Sequence, residues 1–340
     1  MGGIGNTLMA TPLIAAVRKL YPQARIDLLT TPSAAALLTK STDITNILAD
    51  QDGDDHSLIG YWRLQRRIRS VRYDVALLTL NAVTFRFAIR SVLARIPTRV
   101  IHAYPFHSYD DYTPAFSNAV QRNSEIHDVE CNLDLIRAIS GSEIEAGALS
   151  LTLTSDGSAN AAQRLADRGW DAEKKTVALC PGSSGWMSFK RWPLDSFIQL
   201  AKAIAADQEA VNLIVFSGPD EKDEVSKWKQ ELSGSGFILV EGLSLPVYAG
   251  ALTHCDVVVT NDSLPMHMCA ALQVPTVALF GPTDAKRTGP WKCPTTILEA
   301  QTEFTPFVTI PYPPDPAQFP ESMPTITVTD VHEAVRGYID

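Results

Sequence analysis

The chain has 340 residues, with 38 Asp and Glu against 29 Lys and Arg and a formal net charge of −9 at pH 7. That acidic balance argues against a general nucleic-acid binder, which needs a basic surface. Hydrophobic content of 45% and charged content of 20% fit a globular protein, and the length favours two domains over one.

The sequence opens on a glycine-rich loop, Gly2-Gly3-Ile4-Gly5-Asn6-Thr7, with no strand ahead of it. Such loops ordinarily join a first central strand to a first helix. Either a strand is missing from this sequence, or the sheet begins one strand short. The start also lacks the charged and apolar segments of a secretory leader. No apolar run reaches the ~18 residues of a membrane span. The expected place of work is the cytoplasm, with peripheral contact at the inner membrane face left open.

Apolar, β-branched runs then alternate with helical patterns. Strands are expected over 25–30, 74–80 and 98–102, and helices over 11–20, 61–71, 85–94 and 128–139. The third of these features in chain order, helix 61–71, carries the one basic cluster: Arg63, Arg66, Arg67 and Arg69, followed by Arg72. By pattern alone it is a solvated helix face. The polar stretch 152–159 has the composition of an interdomain linker. Beyond it, strands are expected over 176–180, 211–216, 237–240, 257–260 and 276–280, with helices over 195–206, 220–232, 245–253 and 265–272. The proline-dense segment 305–324 reads as an irregular excursion, and a last helix over 330–339 has Thr329 or Asp330 as its N-cap. The rhythm is that of an α/β protein with mostly parallel sheets. Cys131, Cys180, Cys255, Cys269 and Cys293 show no paired spacing for zinc and read as buried, reduced thiols.

Three loops at strand carboxyl ends carry candidate chemistry. Pro181-Gly182-Ser183-Ser184-Gly185, followed by Lys190-Arg191-Trp192-Pro193, offers backbone N–H groups, hydroxyls and a cation suited to a diphosphate. Alone, it reads equally well as an ordinary turn with a solvated Lys-Arg pair. Asn261-Asp262-Ser263-Leu264-Pro265-Met266-His267 opens a helix whose first turn presents free donors. A lone histidine such as His267 is more often a core or capping residue than a ligand. Two such loops in one domain shift the balance, because open α/β sheets bind ligands at strand carboxyl ends. Phe280-Gly281-Pro282-Thr283-Asp284 reads as a tight turn, with Thr283 bordering the site.

Taken in order, these pieces resemble glycosyltransferase family 9, which includes the ADP-heptose:lipopolysaccharide heptosyltransferases. The pieces are G-G-I-G-N-T-L-M-A-T-P at the start, His127-Asp128-Val129-Glu130, P-G-S-S…K-R-W-P, D-S-x-x-M-H and F-G-P-T-D. The resemblance spans essentially the whole chain. It implies a GT-B fold of two facing Rossmann-like domains: 1–155 binding the acceptor, 160–328 binding a nucleotide-sugar donor, and 329–340 a helix crossing back to the first domain. It further implies inverting transfer without a metal or other cofactor, to a lipopolysaccharide-core or other glycan acceptor. Carried over by position, Ser183 and Ser184 are phosphate-binding hydroxyls and Lys190 a phosphate or sugar cation. Asp262, Ser263 and His267 form the sugar- and diphosphate-binding turn. Gly218-Pro219-Asp220-Glu221 resembles the ribose-contacting loop, with Glu221 favoured over Asp220. Arg63, Arg66, Arg67 and Arg69 fall where the family's acceptor domain meets a phosphorylated lipid.

Two positions depart from the pattern. A sugar hydroxyl needs a base to take its proton, and the family supplies an aspartate after the first-loop glycine. Here that position is Asn6, and an amide cannot accept a proton in this pH range. His107, Asp110 and Asp111 are other first-domain candidates for that role. Leu264 stands where the family usually has glycine, and its side chain should crowd a diphosphate. A nucleotide-sugar-binding homologue without the base is therefore the alternative to an active enzyme. A dehydrogenase is the poorest reading, because Gly2-Gly3-Ile4-Gly5 does not complete G-x-G-x-x-G.

Overall fold

The structure, a computed structural model, describes residues 3–49, 58–80, 85–103, 115–207, 211–302, 319 and 321–340. His107, Asp110, Asp111 and most of the proline-dense segment lie outside these residues. The chain divides into two compact units, Met1–Thr152 and Leu153–Asp340. Among the described residues no helix is long and apolar enough to cross a membrane.

The first unit runs α1 (Ile4–Met9), α2 (Thr11–Leu20), β1 (Asp27–Thr30), α3 (Pro32–Leu38), β2 (Asn46–Ala49), α4 (Leu58–Val71), β3 (Val75–Leu78), α5 (Phe85–Leu93), β4 (Thr98–Ala103), β5 (Asn118–Gln121) and α6 (Asp128–Ser140). Its strands form two separate parallel sheets, β1-β2 and β3-β4-β5. Helix α6 shows why the local sequence suffices: His127 Nδ1 accepts from Val129 N at 3.1 Å, and Asp128 and Glu130 sit in the favourable first turn. Gly141, at φ 63°, ends it in the left-handed conformation that glycine adopts without strain. Elements α1, α3, β2 and β5 were not expected, and α1 takes in Ile4–Thr7 of the expected glycine-rich loop. The two strands span four residues each, too short for a period to show.

The second unit runs α7 (Ser155–Ala166), β6 (Thr176–Cys180), α8 (Leu194–Ala206), β7 (Asn212–Ser217), α9 (Val225–Glu231), β8 (Ile238–Glu241), α10 (Leu245–Leu252), β9 (Val257–Asn261), α11 (Leu264–Leu272), β10 (Thr276–Phe280), α12 (Ala285–Thr288), β11 (Thr295–Glu299) and α13 (Val328–Ile339). One parallel sheet has the order β11-β10-β9-β6-β7-β8, which is doubly wound outward from β6 and β9. Every residue of β6, β7, β9 and β10 is buried, which is why these strands read as unbroken apolar runs. The core between sheet and helices includes Val177, Leu179, Trp192, Phe197, Val257 and Val277.

Four expectations are corrected. Residues 155–159 are not linker but the start of α7, whose cap Thr154 accepts from Gly157 N at 3.0 Å. The polar composition belongs to a cap and an exposed helix face. Gly157 also lets α7 lie against α10, since a Cβ there would stand 2.9 Å from Pro246 O. The expected helix 220–232 is split into a 3-10 turn, Pro219–Glu224, followed by α9. The N-cap of α13 is Thr327, accepting from Asp330 N at 3.1 Å, rather than Thr329 or Asp330. Finally, α13 is part of the second unit and packs there on α8, β9, β10 and β11, where the resemblance had sent it across to the first.

Candidate functional site

Strands β6 and β9 are neighbours, yet their following connections leave in opposite directions along the sheet. Loops diverging from such a switch point leave a crevice at the carboxyl ends of the strands. The loop after β6 ends in a 3-10 turn, Gly185–Lys190, that delivers Lys190 to this point. Its Nζ lies 2.6 Å from Asp262 Oδ2, and both side chains are about nine-tenths buried. Thr283 Oγ1, from the loop after β10, donates to the same oxygen at 2.8 Å. Burial alone would raise the Asp262 pKa. The charge and hydrogen bond of Lys190, with help from His267 and Thr283, outweigh it and hold the carboxyl below its usual range. Asn261 ties the same loops by backbone: its Nδ2 donates to Pro181 O at 2.6 Å, and its Oδ1 accepts from Trp192 N at 2.9 Å.

A second set of contacts shapes the β6 loop from below. Arg191 donates through Nη2 to Ser183 O at 2.6 Å and through Nε to Ser183 Oγ at 3.2 Å. The same guanidinium reaches Glu224 at 3.4 Å and Glu221 at 3.6 Å. The Glu221 carboxylate accepts from Gly218 N and lies directly beneath Gly182, where any Cβ would collide with it. A side chain at 182 would have to push the Glu221 carboxylate out of its contacts with Gly218 and Arg191. Burial raises the Glu224 pKa, with Arg191 opposing that shift and Asp223 adding to it.

Sequence comparison decides what this constellation belongs to. The profile of glycosyltransferase family 9 (heptosyltransferase) matches residues 61–312. The chain belongs to that family. A lipopolysaccharide heptosyltransferase 2 from Salmonella typhimurium is 25% identical over 318 residues, covering 84% of this chain and 82% of that one. A lipooligosaccharide heptosyltransferase 2 from Campylobacter jejuni is 31% identical over 123 residues, a match confined to 35% of this chain and 37% of its own length. Among solved structures, a family 9 glycosyltransferase from Veillonella parvula superposes with a TM-score of 0.82 over 100% of this chain and 95% of that one, at 18% identity. Escherichia coli ADP-heptose heptosyltransferase II superposes with a TM-score of 0.78, at 20% identity, over 100% and 96%. The fold is thus the GT-B fold of the heptosyltransferases, built here as two α/β units with parallel sheets.

Within this family 9 chain, the structure brings Ser183, Lys190, Asp262 and His267 into one buried neighbourhood, with Ser184 and Ser263 more exposed at its surface. Several of these side chains also bond within the unit. The Ser183 hydroxyl is engaged internally, donating to Met187 O at 3.1 Å, and Glu221 serves Gly218 and Arg191. Ser184 has an exposed side chain, and Ser263 is the N-cap of α11 with no side-chain cap bond. Leu264 is the first residue of α11 and is only half-buried. Asn6 lies in the first unit, as the third residue of α1. Arg63, Arg66, Arg67 and Arg69 all sit on the exposed face of α4, which buries Gln65 and Ile68 on the other side. Sequence reasoning gave no role to Asn261 or Arg191, the two residues that fix the loops. The available signal was an asparagine ending an otherwise apolar run, and an arginine beside the chosen lysine.

Proposed function

We propose that this family 9 glycosyltransferase transfers heptose from an ADP-linked donor to a lipopolysaccharide-core or other glycan acceptor, with inversion at the anomeric carbon and no metal. The observation that carries the donor assignment is the Lys190–Asp262–Thr283 cluster at the β6/β9 switch point. It places a cation beside the amino end of α11, where the helix dipole also favours an anion. An E. coli heptosyltransferase solved with ADP shares the fold, with a TM-score of 0.74 at 15% identity. Among the described residues no three His, Cys, Asp or Glu side chains converge as metal ligands. In this reading Lys190 and the helix terminus supply the charge compensation for a diphosphate.

On the acceptor side, the exposed arginines of α4 offer charge to a phosphorylated glycolipid, and Trp62 beside them is 52% exposed. That combination suits work in the cytoplasm at the inner membrane face. The chemical step needs a base for the acceptor hydroxyl, and Asn6 in the family's aspartate position cannot serve. This supports a second reading, a nucleotide-sugar-binding homologue impaired in catalysis. The donor assignment is tested by isothermal titration of the protein with ADP, UDP and GDP. ADP is expected to bind at least tenfold more tightly than the other two. Equal or undetectable binding of all three contradicts it.

A further inference from the structure

Lys190 reaches Asp262 from a turn that is weak on its own. The 3-10 turn Gly185–Lys190 contains Met187 at φ −115° and ψ 34°, outside helical geometry, and 3-10 hydrogen bonds are poorly aligned to begin with. A lysine side chain also loses much rotamer freedom when its ammonium is held in one place. The residues flanking Lys190 supply the missing support, and both answer to one distant stretch of chain, Phe319 with residues 321–326. The ring of Phe189 stacks on Phe319, with centroids 3.8 Å apart and planes 8° from parallel. The indole Nε1 of Trp192, a residue 1% exposed, donates to Ile326 O at 3.0 Å.

The same stretch reaches the other half of the cluster. Met323 Sδ fills the space that a Cβ at Gly281 would need, and Ser322 Oγ is 3.2 Å from that point. Gly281 stands two residues ahead of Thr283, whose hydroxyl bonds Asp262. Trp192 N ties the two halves directly, since it donates to Asn261, the residue before Asp262. The stretch has its own anchors. Thr325 Oγ1 accepts from Gln301 N at 2.9 Å and donates to Ser322 O at 2.8 Å, and Thr327 then caps α13. Met323 and Ile326 are 2% and 5% exposed, in the core that also holds Trp192. We propose that Phe319 and residues 321–326 form a brace behind the donor cluster, and that Phe189 and Trp192 are the positioning residues through which it fixes the Lys190 ammonium opposite Asp262. The proposal rests on reading that cluster as the donor site. A cation already fixed where a diphosphate arrives has little further freedom to lose on binding, so the brace raises affinity through Lys190 rather than by contacts of its own.

Positioning differs from plain packing in one respect: loosening the brace costs affinity only while Lys190 is there to be positioned. Phe319→Leu and Trp192→Phe are made in the wild-type protein and again in a Lys190→Met, Asp262→Asn background, and ADP binding is titrated by calorimetry. In the wild-type background each should weaken ADP about threefold to tenfold. In the second background each should weaken it by less than about twofold. Equal weakening in both backgrounds, or none in either, overturns the proposal. Amide hydrogen exchange without nucleotide gives a second readout. The amides of residues 187, 191 and 192 should exchange at least about tenfold faster in both variants, with those of β6 and β7 unchanged. Uniform acceleration across the unit, or no change at these three amides, also overturns it. Faster exchange at these amides in a protein that does not bind ADP supports the brace and refutes the donor reading.

Discussion

Lys190 and Asp262 read in sequence as two donor-binding residues, yet the structure makes them each other's closest partner across 72 positions. This changes what a single substitution reports. Lys190→Ala should weaken nucleotide binding about tenfold, the size of one charge-assisted contact. It should also destabilise the fold, because removing one member of a buried pair leaves an uncompensated charge at a cost of roughly 3–5 kcal/mol. The double variant Lys190→Met with Asp262→Asn separates the two effects, since the amide keeps an acceptor for Thr283. Urea unfolding should show most of the lost stability restored, while calorimetry shows nucleotide binding still weak. Recovery of both together would mean that Lys190 acts only through folding. The pair was legible as two polar residues at strand ends. Their mutual bond was not, because nothing in one sequence states which loops a parallel sheet brings side by side.

At the scale of elements, legibility followed burial. Strands β6 and β10 match their expected bounds because a strand covered on both faces is apolar throughout. Strand β11, at the sheet edge and partly exposed, gave no such signal. Strand β4 shows a cost of the same burial. It carries His102, which is 1% exposed and whose ring nitrogens make no hydrogen bond of good geometry among the described residues. Burial first, and then the charge of Arg122, push its pKa down to about 4, against the opposing pull of Asp134. The unfolded chain therefore binds the proton between pH 6.5 and about 4 while the folded chain does not. Stability from this residue is complete above pH 6.5 and falls as the pH is lowered, by roughly 2 kcal/mol at pH 5. Denaturant midpoints of wild type and His102→Leu, measured from pH 7 to pH 5, should diverge by that slope. Parallel curves would show that the imidazole titrates normally inside the strand.

For the whole molecule, two Rossmann-like units were visible in the alternation of strands and helices, and the boundary between them fell three residues before the expected 155. The family was legible because its motifs sit at strand carboxyl ends, where backbone geometry constrains residue type. The glycine-rich loop with no strand ahead of it pointed to a sheet one strand short, but that the strands would part between β1 and β3 was not legible, since neighbours in a sheet are not neighbours in sequence. The same unit holds Asn6, where the account departs from an ordinary enzyme. If the donor site is intact and the base is absent, chemistry alone should be impaired, and a base typically contributes ~10²–10⁴-fold. The most direct measurement is the rate of ADP release from ADP-heptose in the presence of lipopolysaccharide-core acceptor, for wild type and Asn6→Asp. The account predicts slow release by wild type, with Asn6→Asp faster by about that factor at unchanged nucleotide affinity. Wild type turning over at ordinary enzyme rates, or neither protein releasing ADP above the acceptor-free rate, would contradict it.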